Sequence, residues 1–560
     1  MKKRFMAFLL AAAMTAALVG CGGGNSGDSA GKEEATGGDA ANTAAAQVEV
    51  PAGESVSQDT DIVAAVNVDF TTLDPMDTSD TLSGDVQRML MDGLFGFDQE
   101  MNVIPMLATG YEANDDATEY TFTLRQGIQF SDGTPWNAEA AKANFDRWGD
   151  KNLGLKRTTL LCNILDSAEV VDEYTIKVKL ATPFGAFINT LAHPACVVVS
   201  PSLIEQGSEA CAANAIGTGQ YKFVEWVAGE YLKVELNKDW WGYDEEICDG
   251  TPLAESDAGF KTVTFKPVTE SATRVAMVQS GDAQMIWPVP AENIDALKGD
   301  SNVVLGAEEG IVVRYLMMNN QKAPFNDVRV RQAINYAINK EAYVQVVKNG
   351  YASVAKSVIG SSVQYYKANE PYAYDIEKAK ELLTEAGYPD GFTTKIWYAN
   401  TTANQKQCEF LKQQLEQVGI TVELEGMESA ILNEKIQDTD AKGADAEVDM
   451  YVIGWSPSTG DADWGIRPLL ASESEPPMSY NICYYENEKV DSLLYEALGT
   501  ADSDKRAAAY EEVQDIIWEE TPLVCLASDY NTWANDKHII NIGNTPDGGL
   551  WIRNARMAAE

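Results

Sequence analysis

The chain has 560 residues, with 85 acidic side chains against 42 basic ones and a net charge of −43 at neutral pH. Such a field repels nucleic acid and anionic lipid surfaces, so no nucleic-acid partner is expected, and an anionic ligand needs a local cation. Apolar content is ordinary for a globular protein, and the roughly five hundred residues beyond the N-terminal segments exceed one hydrophobic core, so two or more domains are expected.

Lys2, Lys3 and Arg4 precede an apolar run from Phe5 to Val19 that is too short to span a bilayer comfortably. Such a run reads as a secretory signal, residues 1–20. It closes in Leu18-Val19-Gly20-Cys21, which resembles a bacterial lipobox, so Cys21 would be the first mature residue and carry lipid; the alternative is an ordinary signal peptide with a chance cysteine. Residues 21–59 read as a flexible linker: Gly, Ala, Ser, Asp and Glu dominate and no aromatic residue occurs. A coil of that length reaches roughly 35 Å.

The first half beyond the linker is patterned for strands. Tyr120, Phe122 and Leu124 alternate with polar residues, as do Ile176, Val178 and Leu180, and Leu232, Val234 and Leu236. The second half turns helical. Asp327 is placed to cap a helix carrying Val330, Ile334 and Ala337; Asp375 begins another that stops at Gly387; a third starts near Ser503 and ends before Pro522. Short apolar strands at 394–398, 420–424 and 449–453 lie between them, which implies an α/β lobe.

Catalytic constellations are scarce. The two histidines, His193 and His538, lie far apart; the one Gly-x-Ser-x-Gly match, at Gly27–Gly31, falls in the linker; no phosphate-binding loop occurs. The acidic loop Asp438-Thr-Asp440-Ala-Lys-Gly443 has Lys442 at a ligand position, so no metal is expected, and no cofactor motif is present. Beyond Cys21 there are seven cysteines, an odd number without a Cys-x-x-Cys pair; they read mostly as small buried hydrophobes, with one or two disulfides open.

The richest segment is Gly454-Trp-Ser-Pro-Ser-Thr-Gly-Asp-Ala-Asp-Trp-Gly465, a loop at the carboxyl end of an apolar strand, where open α/β sheets place ligands. Trp455 and Trp464 supply flat walls; Ser458, Thr459, Asp461 and Asp463 supply acceptors. Arg314 lies inside the apolar run Ile311–Met318, where a cation is costly unless paired. It is either half of a structural ion pair or the cation for a ligand carboxylate.

Several segments together resemble the substrate-binding proteins of ABC importers that take dipeptides, oligopeptides and nickel complexes, solute-binding protein family 5. They include Leu73-Asp-Pro75, Asp92-Gly-Leu-Phe95, Phe130-Ser-Asp-Gly-Thr134, Gly217-Thr-Gly-Gln-Tyr221, Pro324-Phe-Asn-Asp-Val-Arg-Val-Arg-Gln-Ala333 and Ala386-Gly-Tyr-Pro-Asp-Gly-Phe392. Phe70-Thr-Thr-Leu-Asp-Pro75, Pro183-Phe-Gly-Ala-Phe-Ile-Asn189, Leu191-Ala-His-Pro194 and the Ser-Thr-Gly-Asp-Ala-Asp-Trp loop look most like its glutathione-binding members.

The resemblance implies a two-lobed, type II periplasmic-binding-protein-like α/β fold with mixed sheets, an enlarged first lobe and a two-strand hinge. Lobe I would span 60–310 with an extra β-rich subdomain at about 95–200, lobe II 311–525, and 526–560 would return to lobe I. It implies a non-enzymatic receptor, monomeric and touching the membrane only through its lipid. Such a receptor closes over a glutathione-like small peptide and hands it to an ABC permease and ATPase complex outside the cytoplasm. A general dipeptide or oligopeptide receptor, or a sensor for a signalling partner, are the alternatives. Asp461 or Asp463 would hold a ligand ammonium and Arg314 a carboxylate. Trp455 and Trp464 would wall the cleft, and Thr78, Asp80 and Thr81 would contribute from lobe I. In dipeptide binders an aspartate follows the Gly-Trp and an arginine lies in the preceding loop; here those positions hold Ser458 and the arginine-free segment Asn400, Thr401 to Gln405.

Overall fold

The computed structural model describes residues 57–437 and 440–558. The signal segment, Cys21 and nearly all of the linker lie outside the described residues. The linker ends sooner than expected. Ser57–Asp59 forms a 3₁₀ turn in which Ser57 is buried, its Oγ accepting the Met557 amide at 2.6 Å, and Gln58 Nε2 donates to the Ser256 carbonyl at 2.8 Å. This turn is anchored by polar contacts to distant segments, which composition cannot show.

One mixed sheet of eleven strands organises the fold. Its order is Thr421–Met427, Thr393–Ala399, Met450–Trp455, Val303–Met318, Leu523–Asp536, Met285–Trp287, Asp61–Val66, Thr262–Pro267, Tyr231–Leu236 and Tyr221–Val227, with Ala352–Val354 beside Leu523–Asp536. The two longest strands, Val303–Met318 and Leu523–Asp536, are antiparallel neighbours at its centre. The late end of Leu523–Asp536 pairs with the first-lobe strand Met285–Trp287, and the late end of Val303–Met318 with the second-lobe strand Met450–Trp455. Between Glu309 and Val313 the register slips. Such a bulge leaves residues unpaired and bends the strand, and it sits where the chain passes from one lobe to the other.

Each lobe has its own apolar core. Ile62, Val86, Leu232, Val263 and Trp287 fill the first; Leu316, Ile334, Leu383, Ile396 and Leu411 fill the second. A four-stranded antiparallel sheet, ordered Ala108–Ala113, Glu119–Leu124, Thr175–Leu180, Leu165–Asp172, forms the insert on the first lobe. Its strands Glu119–Leu124 and Thr175–Leu180 bury alternate residues, as their period-two patterns require. The helices follow their caps: Asp327, Asp375 and Asp502 each accept amide hydrogen bonds from the first turn. All seven described cysteines are free and buried, which closes the disulfide option among them.

Candidate functional site

A cavity of about 370 Å³ lies between the lobes. Its first-lobe wall is a turn running into a helix. Asp74 caps the 3₁₀ turn Pro75–Asp77, and Asp80 caps the helix Thr81–Leu90 by accepting the Ser83 amide at 2.8 Å. Leu82, Val86 and Leu90 face the core, so Thr81, Gly84 and Arg88, at i, i+3 and i+7, face the cavity. The second-lobe wall is the loop after strand Met450–Trp455. Trp455 Nε1 donates to the Trp464 carbonyl at 2.7 Å, and Tyr480 packs 5.5 Å from the Trp455 ring, which makes an aromatic wall.

The two arginines of the cavity differ in their commitments. Arg88 is held by Asp85 and by Asp547, the latter at 3.3 Å. Burial pushes the Asp85 carboxyl up to about 7, Asp547 adding to the rise and Arg88 opposing it. Arg157 is fixed by its backbone amide on the Met76 carbonyl at 2.9 Å and by Nε on the Thr78 carbonyl at 2.8 Å. Among the described residues no carboxylate lies within ion-pair distance of it. Burial lowers its pKa, with Cys196 and Asp80 opposing. A cation held in place, partly desolvated and without a counter-ion favours an incoming anion. Asp80, half-buried in the same cavity, offers the opposite charge.

One hydrogen bond crosses the cavity. His193 Nδ1 accepts the Ala195 amide at 3.0 Å, so the neutral ring carries its proton on Nε2, which donates to Ser458 Oγ at 3.1 Å. Burial holds the imidazole far below its usual range, at about 3, and Arg157 and Arg88 push the same way.

Of the residues singled out in the sequence, the cavity brings together Thr78, Asp80, Thr81, Trp455, Ser458 and Trp464. The others sit elsewhere, and each has a reason. Arg314 donates through Nε to Asp529 at 2.7 Å, and Lys348 reaches the same carboxylate at 2.6 Å, so the structural alternative describes it. Asp461 is fully buried, caps the helix Ala462–Leu470 and pairs with Arg506 at 2.8 Å. Asp463 is bound at both oxygens by Arg467, at 2.8 and 2.7 Å. Asp463 is thus saturated and Asp461 is sealed from the cavity, so neither faces an ammonium there. Thr401 caps the helix Thr402–Glu416; Asn400 and the buried Thr459 are not in the cavity wall. The sequence reading missed Arg157, Arg88, Asp547 and Tyr480. Arg88 carried a signal, the i, i+3, i+7 polar face after Asp80; Arg157 lies in a polar loop with no periodicity.

The family model for bacterial extracellular solute-binding proteins, family 5 Middle, matches residues 102–476. The glutathione-binding protein GsiB of Salmonella typhi is 41% identical over 499 residues, 89% of this chain and 94% of that protein. The protein of that name in Escherichia coli K12 is 40% identical over the same length. Among solved structures, HbpA2 from Haemophilus parasuis superposes with a TM-score of 0.79 at 26% identity, covering 89% of this chain and all of that one. The ABC transporter-associated periplasmic binding protein DppA from Helicobacter pylori, in complex with the peptide STSA, gives 0.69 at 27% identity over 89% of this chain and 98% of that one. These likenesses fit the two-lobed mixed α/β fold and a family whose members bind solutes rather than transform them. The chain belongs to the bacterial extracellular solute-binding proteins of family 5.

Proposed function

We propose that the chain is the extracytoplasmic receptor of an ABC importer for glutathione or a similar small peptide. In this reading the ligand is held between the lobes by Arg157, Asp80 and the Trp455–Trp464 wall. The observation that carries the reading is Arg157: a positioned, partly buried cation with no carboxylate partner among the described residues, lining an inter-lobe cavity of a strongly acidic protein. A peptide carboxylate supplies the missing charge, Asp80 faces its ammonium, and Ser458 and Thr81 offer hydroxyls to its amides. The volume is at the small end of ligand pockets, which run about 300–1,000 Å³, and suits a ligand of a few residues. The 40–41% identical relatives named for glutathione binding support the same class.

Delivery to a permease and ATPase complex, and anchoring through a lipid on Cys21, complete the proposal. A diacylated cysteine provides the two chains that stable anchoring needs, and the linker provides reach. No described helix is long and apolar enough to cross a membrane. Calorimetric titration with reduced glutathione, oxidised glutathione, di- and tripeptides tests the ligand class. Binding of glutathione with exclusion of ordinary peptides supports the specific reading; equal binding of all of them moves it to a general peptide receptor. No heat with any of them ends the peptide reading. For the anchor, Cys21→Ser is expected to release the protein from membranes, and an unchanged membrane fraction refutes the lipobox.

A further inference from the structure

The segment Pro183–Asn189 is not in the wall of that cavity, yet its backbone meets that of the second lobe. Gly185 N–H donates to the Leu498 carbonyl at 2.8 Å, and the Thr500 hydroxyl donates to the Asp115 carbonyl at 3.4 Å. A Cβ on Gly185 would overlap the Thr500 carbonyl oxygen and lie 3.0 Å from the Ala497 carbonyl and 3.1 Å from Arg506 Nε. Gly185 does not have the left-handed φ that excludes side chains, so an alanine there meets only this steric conflict. The conflict belongs to the conformation described, in which the two segments touch.

Arg506 links that contact to the ligand loop. Its Nε donates to the Ala497 carbonyl at 3.1 Å and its Nη2 to Asp461 at 2.8 Å, while its guanidinium lies over the Tyr365 ring at 5.0 Å. Asp461 opens the helix that carries Trp464. The preceding residue, Gly460, lies against the Phe97 ring and Met101 of the first lobe, its Cβ position 3.2 and 3.3 Å from them.

We propose that Gly185 and the Leu498–Thr500 turn form a closure latch, and that Arg506 is the positioning residue that ties the latch to the ligand loop. It rests on the reading of the chain as a receptor that closes over its ligand. The geometry makes ligand affinity depend on a contact outside the ligand cavity, because a ligand's apparent affinity scales with the fraction of protein that can reach the closed form.

The test compares wild type and Gly185→Ala. Spin labels are placed at the exposed positions Lys151 and Gln413, and inter-lobe distances are measured without ligand and with saturating reduced glutathione or a tripeptide. The variant is expected to shift toward the longer distance, to bind at least tenfold more weakly, and to keep its ligand-free thermal midpoint. Distances and affinity equal to wild type overturn the latch. A lowered ligand-free midpoint without a distance shift also overturns it, because the glycine then serves folding rather than closure. If the variant shifts but neither protein responds to glutathione or the tripeptide, the latch stands and the peptide reading falls.

Discussion

Replacing Arg157 with glutamine removes the cavity's one cation that has no carboxylate partner among the described residues. The guanidinium is held at Nε by the Thr78 carbonyl, and the residue lines the cavity. Hydrogen bonds to a charged partner contribute about 1.5–3 kcal/mol, and a carboxylate left unpaired in a partly desolvated site adds its own penalty. The expected loss is about 2–3 kcal/mol, a rise in Kd of roughly 30- to 150-fold by the usual conversion. Arg157→Lys keeps the charge but loses the planar fork and is expected to recover only part of the affinity. Calorimetric titration with the best peptide ligand measures both, and the ligand-free thermal midpoint checks the loop that Nε pins. A glutamine variant that binds within twofold of wild type refutes the assignment of Arg157 as the ligand's anion site.

Arg314→Gln is expected to leave affinity within about twofold and to lower unfolding stability by about 1–3 kcal/mol. Asp529 keeps Lys348, and the Arg314 side chain is about a third exposed, which places the loss below that of a fully buried pair; a large affinity loss without a stability loss reverses this. Ser458→Ala removes the acceptor for His193 Nε2 and is expected to weaken binding several-fold, about 1 kcal/mol, and unchanged affinity removes that bond from closure. For Asp85, the folded pKa of about 7 lies above the unfolded value of 3.8, so the folded state holds the proton more tightly. Its contribution is fully present below pH 3.8 and is lost as pH rises through 7, by at most about 1.4 kcal/mol per unit. The stability of wild type relative to Asp85→Asn should therefore fall from about pH 4 to 7 and level off above it in denaturant titrations. His193 runs the other way. Its folded pKa of about 3 lies below the unfolded 6.5, so its contribution is present above pH 6.5 and lost as pH falls toward 3. A His193→Gln variant should lose less stability than wild type between pH 6.5 and 4.

The strands and helices were legible because their signals are local. Period-two alternation at Tyr120–Leu124 and an aspartate ahead of an apolar helical face at Asp375 depend on neighbours a few residues away. The two-strand crossing was reached through the family's pattern rather than through periodicity. The loop after Trp455 was legible as a cavity wall, since aromatic residues at a strand's carboxyl end mark such places. Which carboxylates in that loop are free was not legible. Asp461 is taken by Arg506, 45 residues away, and Arg314 by Asp529, 215 residues away. Partners that distant leave no trace in spacing. Arg157 was hidden for the converse reason: what marks it is the lack of a carboxylate around it, and a lack of neighbours in space has no signature along the chain.

The seven buried thiols take on a chemical meaning once the proposed ligand is a thiol or a disulfide. Exchange with oxidised glutathione requires a thiolate that an attacking disulfide can reach. All seven side chains are buried away from an attacking disulfide, and burial disfavours the thiolate at Cys196, Cys211, Cys248, Cys408, Cys483 and Cys525. Cys408, Cys483 and Cys525 are each pushed up to about 12, and Cys196, next to the cavity residue Ala195, is driven higher still. The eighth cysteine, Cys21, would be capped by thioether linkage to lipid. On the proposed reading, a thiol or disulfide cargo would therefore meet no exposed thiol among the described residues. The protein's intact mass after prolonged exposure to oxidised glutathione should remain that of the unmodified chain.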